Sequence, residues 1–393
     1  MLLGNRQFRR LWAASAVDSL GSWLLVMAVP LHVFALTGSA MSTGLALAVQ
    51  AAPAVLVGPW AGAVVDRRSR RTVLVVANLA GAAAVALMAL GTTPGRLGFV
   101  YLGLALENVA VCFLGPALAA VTPTVVDPAD LPAANALSAA TASTLRMLGP
   151  LAGTLLVEAG RFRTVVLIDA ATYLAAAAVI GTVAIPRTPR PARAAAGPSL
   201  VLRVPLLRGL LVTSWLYWTA NAALTALLVP FIATRLHGPD RALGYLVAGL
   251  GLGYLAGSAL SGVLIERFAT RTILVAAYAA VGGCFLVMFT TTALPVALAA
   301  VTAAGVPGAV AKVVTGYRVQ TGSEDAVRGR AAAAFYTSDC VAAVAGALLG
   351  PAIAALTGLV VALPLLSAVV LATAGLAVIL LPAPTGREWP ARR

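Results

Sequence analysis

The sequence predicts an all-α membrane protein: twelve transmembrane helices in two pseudo-symmetric six-helix bundles, with both termini in the cytoplasm. Three observations carry that prediction. The 393 residues are 61% hydrophobic and only 10% charged, which is far more apolar surface than a soluble core of this size can bury. Apolar windows of about 20 residues, the length that crosses a hydrocarbon layer roughly 30 Å thick, recur along the whole chain. The chain also resembles itself at a constant offset of about 200 residues, the sign of an internal duplication.

The windows place helices over 9–36, 41–65, 72–92, 97–121, 134–158, 164–185, 209–236, 242–265, 272–292, 294–317, 331–356 and 359–381. If these spans alternate, twenty arginines collect on one side, in loops such as Arg67 to Arg71 and Arg187 to Arg208. Only five, Arg96, Arg161, Arg163, Arg235 and Arg241, collect on the other. Cytoplasmic loops carry the excess of basic residues, so the net charge of +14 reports topology and no nucleic-acid partner. The first apolar run, Leu11 to Leu36, continues without a small-residue cleavage site and is expected to stay as the first span. Cys112, Cys284 and Cys340 lie far apart in apolar stretches and read as small core residues.

The offset is clearest where GAVVDRRSRRTVL (Gly62 to Leu74) meets GVLIERFATRTIL (Gly262 to Leu274): five of thirteen positions are identical and Asp66 is answered by Glu266. Pro30, Gly38 and Gly44 recur as Pro230, Gly238 and Gly244, and Gly149-Pro150 recurs as Gly350-Pro351, one residue out of step. The expected division is a first bundle at 1–185, a Pro- and Arg-rich cytoplasmic linker at 186–208 and a second bundle at 209–393. Two similar bundles can rock about a site between them and expose it to each side in turn. The duplication therefore favours an alternating-access transporter over a channel or a membrane enzyme.

These residues carry a resemblance to the major facilitator superfamily that covers essentially the whole chain. Its signature between the second and third helices looks like Gly62, Asp66, Arg67, Arg70 and Arg71, with Ser69 in place of the usual second glycine; Gly262, Glu266, Arg267 and Arg271 are the second-half equivalent. NRQFRRLW, LPAANAL at Leu131 to Leu137 and VRGR resemble the bacterial drug and siderophore exporters, the macrolide- and enterobactin-type group. Gly149, Pro150 and Gly153 are similar to the core of the antiporter motif, with Leu145 replacing its upstream glycine. The resemblance implies that the signature loop is a cytoplasmic gate, latched against the start of the eleventh helix near Arg328 to Ala331. The competing reading is that its arginines only fix orientation.

Ionisable side chains inside a bilayer are costly unless paired or wet, so each is a functional candidate. The spans hold Asp18, Glu107, Arg146, Asp169, Lys312 and Asp339. At 1.5 Å per residue, Asp18 lies about 12 Å from Arg10 along its helix and Glu107 about 15 Å from Leu97, so both approach the midplane. Asp18 and Glu107 are the expected proton-exchanging groups, Arg146 their modulating partner, and Asp339 the second half's candidate. A static Glu107–Arg146 pair without a transport role is the plainer alternative. Asp169 and Lys312 fall closer to span ends, where structural roles are expected. Trp23, Trp215, Trp218 and Asn221 are candidate substrate contacts, although aromatic residues near helix ends also serve as interfacial anchors.

The sole lysine, Lys312, sits in no phosphate-binding loop, and the two histidines form no metal-binding pattern. The expected function is secondary active transport: proton-coupled antiport that exports a hydrophobic or amphipathic compound such as an antibiotic, siderophore or other secondary metabolite. Uptake by symport, or a transport-inactive sensor, are the alternatives. No enzyme activity, cofactor, metal or nucleic acid is expected. The expected partners are a small-molecule substrate, protons or another coupling cation, and the lipid bilayer, for a monomer in the bacterial inner membrane.

Overall fold

In a computed structural model of the chain, the structure describes residues 4–127, 130–184, 204–321 and 328–382, apart from the side chains of Pro59, Asp66, Pro132 and residues 328–330. The chain divides into two compact units, Met1–Arg193 and Ala194–Arg393. The first holds α1 (Arg6–Thr37), α2 (Ala40–Leu56), α3 (Gly58–Arg67), α4 (Arg70–Met88), α5 (Gly98–Val125), α6 (Leu131–Glu158) and α7 (Phe162–Gly181). The second holds α8 (Pro205–Ala226), α9 (Leu228–Phe231), α10 (Arg241–Arg267), α11 (Thr270–Thr290), α12 (Leu294–Thr321), α13 (Arg328–Thr357) and α14 (Leu359–Leu380).

Helices occupy all twelve expected windows, but two windows are broken. The second splits at Val57, just before Gly58-Pro59, into α2 and α3. In the seventh, α8 and the segment Leu228–Leu236 meet at 48°, and Ile232–Leu236 winds as a π-turn. Nine described helices are long and apolar enough to span a membrane, or ten if that bent pair counts as one span. Two windows fall short of the criterion. Ala40–Leu56 is too short, and α6 is made polar by Asn135, Ser138, Thr141, Ser143, Thr144 and Arg146. Both faults follow from the sequence: Pro59 cannot donate to the preceding turn, and a row of hydroxyls lowers mean hydropathy without preventing a helix.

Within the first unit α1 packs on α6 and α7, and α4 on α5 and α7. The second unit repeats this with α8 on α13 and α14, and α11 on α12 and α14. The register is kept closely. Helix α3 ends at Arg67 and α10 at Arg267; the following residues, Arg68 and Phe268, are both extended, and their N–H groups return to Val64 and Leu264. Gly149 lies where a Cβ would strike Trp23, and Gly350 where it would strike Ala223, the residue 200 positions on from Trp23. In lipid, where apolar side chains gain little by leaving their solvent, such small residues allow the close backbone approach that holds helices together.

Local caps explain the sequence at the helix ends. Asn5 Oδ1 accepts from the backbone N–H of Gln7 and Phe8 at 3.0 and 3.1 Å, and its Nδ2 donates to Val125 O at 2.7 Å. One asparagine thus caps the start of α1 and ties it to the end of α5. At the opposite end of α1, Gly38 adopts φ 61° and its N–H returns to Phe34 O, the left-handed cap that a Cβ disfavours. Nearby, the buried His32 stacks on Phe162 with ring centroids 3.6 Å apart, and its Nε2 lies 3.1 Å from Gly91 O. That contact joins α1, the α4–α5 connection and α7.

Candidate functional site

The first unit gathers three carboxyl groups. Asp18 on α1, Glu107 on α5 and Asp169 on α7 lie within electrostatic reach of one another. Glu107 is 5% exposed and Asp169 0%. Glycines make room for Asp169 and for its neighbour Tyr173. Gly21, one turn beyond Asp18, has no side chain, and the space is taken by the side chains of Asp169 and Thr172. Gly81 on α4 leaves room for the ring of Tyr173, whose Cε1 would stand 2.8 Å from an added Cβ.

Hydroxyls stand beside two of the three carboxyls, Glu107 and Asp169. Tyr173 OH donates to Glu107 Oε1 at 3.4 Å and lies 3.4 Å from Ser22 Oγ, while Thr172 Oγ1 is 3.3 Å from Asp169 Oδ1. Asp18 Oδ1 and Asp169 Oδ2 are buried without a hydrogen-bond partner. Negative charges this close in apolar surroundings repel one another, so a cation or a proton that enters the group lowers its energy. Among the described residues no group of three or more His, Cys, Asp or Glu side chains is arranged to hold a metal ion.

Two placements add to the expectations here. Arg146, expected as the modulating partner of Asp18 and Glu107, is exposed, and its guanidinium sits 5.0 Å above the Trp23 ring. The aromatic face supplies an attraction that does not require taking the guanidinium out of a wet environment. Asp169, expected near a span end in a structural role, belongs to the carboxyl group. Counting residues from Thr164 measures depth along α7 and cannot show that α7 faces Gly21.

The second unit holds a different site. A cavity of about 230 Å³ is lined by Ser214, Trp218, Lys312, Phe335, Tyr336 and Asp339, among others. Ser214 Oγ donates to Asp339 Oδ1 at 3.0 Å, and Lys312, which attracts Asp339, holds its Nζ 5.6 Å above the Trp218 ring. Tyr217 packs edge-on against Trp218 and tilted against Tyr278, with ring centroids 5.3 Å apart in both pairs. Lys312, expected near a span end in a structural role, lines the cavity, because α12 turns it toward Trp218 and Asp339. Asp339 bonds across to α8 and lines the cavity. Trp215 is 39% exposed, and neither it nor Asn221 lines this cavity. In the 200-residue register Asp18 corresponds to Trp218 and Glu107 to Pro307, so the duplication preserves the scaffold and not the chemistry.

In the signature loop, Ser69 caps α4 by accepting from Thr72 N at 3.5 Å, a job that glycine could not do through a side chain. Arg70 Nη1 donates to Ala120 O at 2.9 Å, and Arg71 Nη2 donates to Gly181 O. Both arginines thus bind carbonyls in or near the last turns of α5 and α7, where the helix dipole favours a cation. The side chains of Asp66 and of Arg328, Gly329 and Arg330, the expected latch, lie outside the described residues. Gly62 and Gly262 have nothing within 4 Å of an added Cβ, and Glu266 and Arg267 are exposed while Arg271 is half-buried.

The chain is 28% identical over 183 residues to macrolide efflux protein A of Streptococcus pyogenes, a stretch that covers 46% of this chain and 45% of that protein. It is 28% identical over 274 residues to the enterobactin exporter EntS of Shigella boydii serotype 18, covering 67% of this chain and 65% of the exporter. The matched stretches thus span about half and just under two thirds of those relatives. Among solved structures, a bacterial homolog of the human lysosomal transporter Spinster, in an inward-facing and unoccupied conformation, aligns with a TM-score of 0.71 at 14% identity, covering 95% of this chain and 94% of that one. The nucleoside transporter NupG aligns with a TM-score of 0.71 at 12% identity, over 95% and 99% of the two chains. At such identities the likeness shows the fold alone. The Major Facilitator Superfamily sequence profile matches residues 11–228 and again residues 210–393. With both halves matched and the fold shared along nearly its whole length, the chain belongs to the major facilitator superfamily: it is a multi-pass membrane transporter and not an enzyme.

Proposed function

We propose that this transporter exports a small hydrophobic or amphipathic molecule from the cytoplasm in exchange for protons. The observation that carries the reading is the trio of half-buried Asp18 with buried Glu107 and Asp169, a place where an entering proton relieves like-charge repulsion. The outward direction is supported by the likeness to the macrolide efflux protein and the enterobactin exporter, and by the close α1–α6 packing at the antiporter-like Gly149, Pro150 and Gly153. In this reading the first unit handles the proton. The second unit offers the flat apolar walls and the Lys312–Asp339 pair that orient a drug-like substrate. The signature loop acts as a cytoplasmic gate, the segment 186–208 links the two bundles, and the protein works as a monomer in the bacterial plasma membrane.

The test uses inside-out vesicles that contain the protein, an imposed proton gradient, and a panel of macrolides, catecholate siderophores and lipophilic dyes. Uptake into the vesicles that collapses when the gradient is dissipated is the expected result. Asp18→Asn, Glu107→Gln and Asp169→Asn should each reduce substrate-dependent proton flux by tenfold or more while the protein remains folded. Unchanged coupling in all three variants would overturn the proton assignment, and gradient-driven movement in the opposite direction would overturn export.

A further inference from the structure

A second feature of the first unit, unconnected with the carboxyl group, is a groove of about 840 Å³ on the surface shared by α3, α4 and α5. We propose that it binds one anionic phospholipid, with the phosphate at Arg68 and an acyl chain lying between α4 and α5.

The groove exists because α4 carries small residues along this face. Ala80 and Ala83 form its floor, while Val76 and Leu106, 57% and 46% exposed, stand up as rims. From Thr72 to Leu87 the groove follows α4 for about 23 Å at 1.5 Å per residue, long enough for an extended acyl chain. Its lining is apolar except at one end, where Arg68, Ser69 and Thr72 meet it. That end is also the arginine-rich side of the molecule, which faces the negatively charged surface of the cytoplasmic leaflet.

The arginines of this loop divide their work. Arg70 and Arg71 are taken up by the carbonyls of Ala120 and Gly181, whereas the exposed Arg68 lines the groove, with exposed Arg67 beside it. Ser69 Oγ accepts from Thr72 N, which leaves its own O–H to donate. A guanidinium and a hydroxyl at the mouth of an apolar trough suit a phosphodiester with an attached hydrocarbon chain. A headgroup that also bears a quaternary ammonium would bring a cation toward Arg67 and Arg68, so a net negative lipid is favoured over a zwitterionic one. Ala80 is exposed, so a larger residue there fills the groove without disturbing the core.

Full-length protein in mild detergent is incubated with phosphatidylglycerol or phosphatidylcholine, and retained lipid is counted by native mass spectrometry. One phosphatidylglycerol per chain is expected, retained in clear preference to phosphatidylcholine. Arg68→Gln should weaken phosphatidylglycerol retention about fivefold, the ratio corresponding to about 1 kcal/mol for one basic side chain at an anionic surface. Arg68→Lys should largely preserve it, and Ala80→Phe should reduce retention of both lipids. The proposal is overturned if the wild type holds both lipids equally, or if Arg68→Gln and Ala80→Phe both hold phosphatidylglycerol at the wild-type level. Should a variant fail to fold, the wild-type preference decides alone.

Discussion

Replacing Gly149 by alanine should loosen the first unit by forcing α1 and α6 apart. An added Cβ would stand 2.5 Å from Trp23 Cβ and 3.0 Å from Trp23 C, against 3.4 Å for ordinary contact, so the helices must separate by about 0.9 Å (3.4 − 2.5). The obstacle is backbone and Cβ, which no rotamer change can move. Overpacking of this kind costs about 1–3 kcal/mol, offset by about 1 kcal/mol because alanine is the better helix former. The difference is about 0–2 kcal/mol, and the widened seam also loses dispersion contacts that lipid does not replace, so the net effect is a loss. The control is Gly62→Ala in α3, where nothing lies within 4 Å and alanine should be neutral or stabilising. Differential scanning fluorimetry of the detergent-solubilised protein should show Gly149→Ala melting below the wild type, by up to about 8 °C, with Gly62→Ala at or above it. The packing argument fails if Gly149→Ala is as stable as the wild type, or if the two variants behave alike. Gly350→Ala, which would meet Ala223 O at 2.5 Å, should repeat the effect in the second unit.

Tyr173→Phe keeps the ring against Gly81 but deletes the hydroxyl between Ser22 and Glu107; substrate-dependent proton flux should fall while the melting temperature holds, and unchanged flux would remove the hydroxyl from the proton path. Arg70→Ala gives up the 2.9 Å bond to Ala120 O near the end of α5 and should cost about 1 kcal/mol in thermal stability, with Arg70→Lys recovering only part of it because its single ammonium lacks the guanidinium's fork. His32→Ala removes both the stack on Phe162 and the contact with Gly91 O and should cost about 2–4 kcal/mol by melting, whereas His32→Phe keeps the ring and should cost less.

How much of the molecule was legible in the linear order differs between scaffold and site. Spans were legible because lipid demands about 20 apolar residues in a row, a local property. The breaks in the second and seventh spans were partly signalled, by Gly58-Pro59 and by Pro230, yet the 48° bend depends on how α8 meets its neighbours. Asp18, Glu107 and Asp339 stood out as charges deep in apolar runs. Asp169 was legible as a residue but not as a member of the site, because depth along one helix contains no information about which helix it faces. The one available clue was Gly21 beside Asp18, a small residue whose use appears only when Asp169 and Thr172 occupy its space. The direction in which Lys312 and Arg146 point is hidden for a related reason: each settles over a tryptophan on another helix.

The sequence by itself determined the solvent in which this protein lives, the approximate positions of its helical windows, the internal duplication and the family, because composition, span length and repeat register are one-dimensional quantities. Only the tertiary structure decided that three carboxyl groups from α1, α5 and α7 come together, that Lys312, Trp218 and Asp339 line a cavity, and that a groove ends at Arg68. Those juxtapositions depend on the rotation of each helix about its axis, which is set by glycines such as Gly21, Gly81 and Gly149 meeting particular side chains across a helix seam.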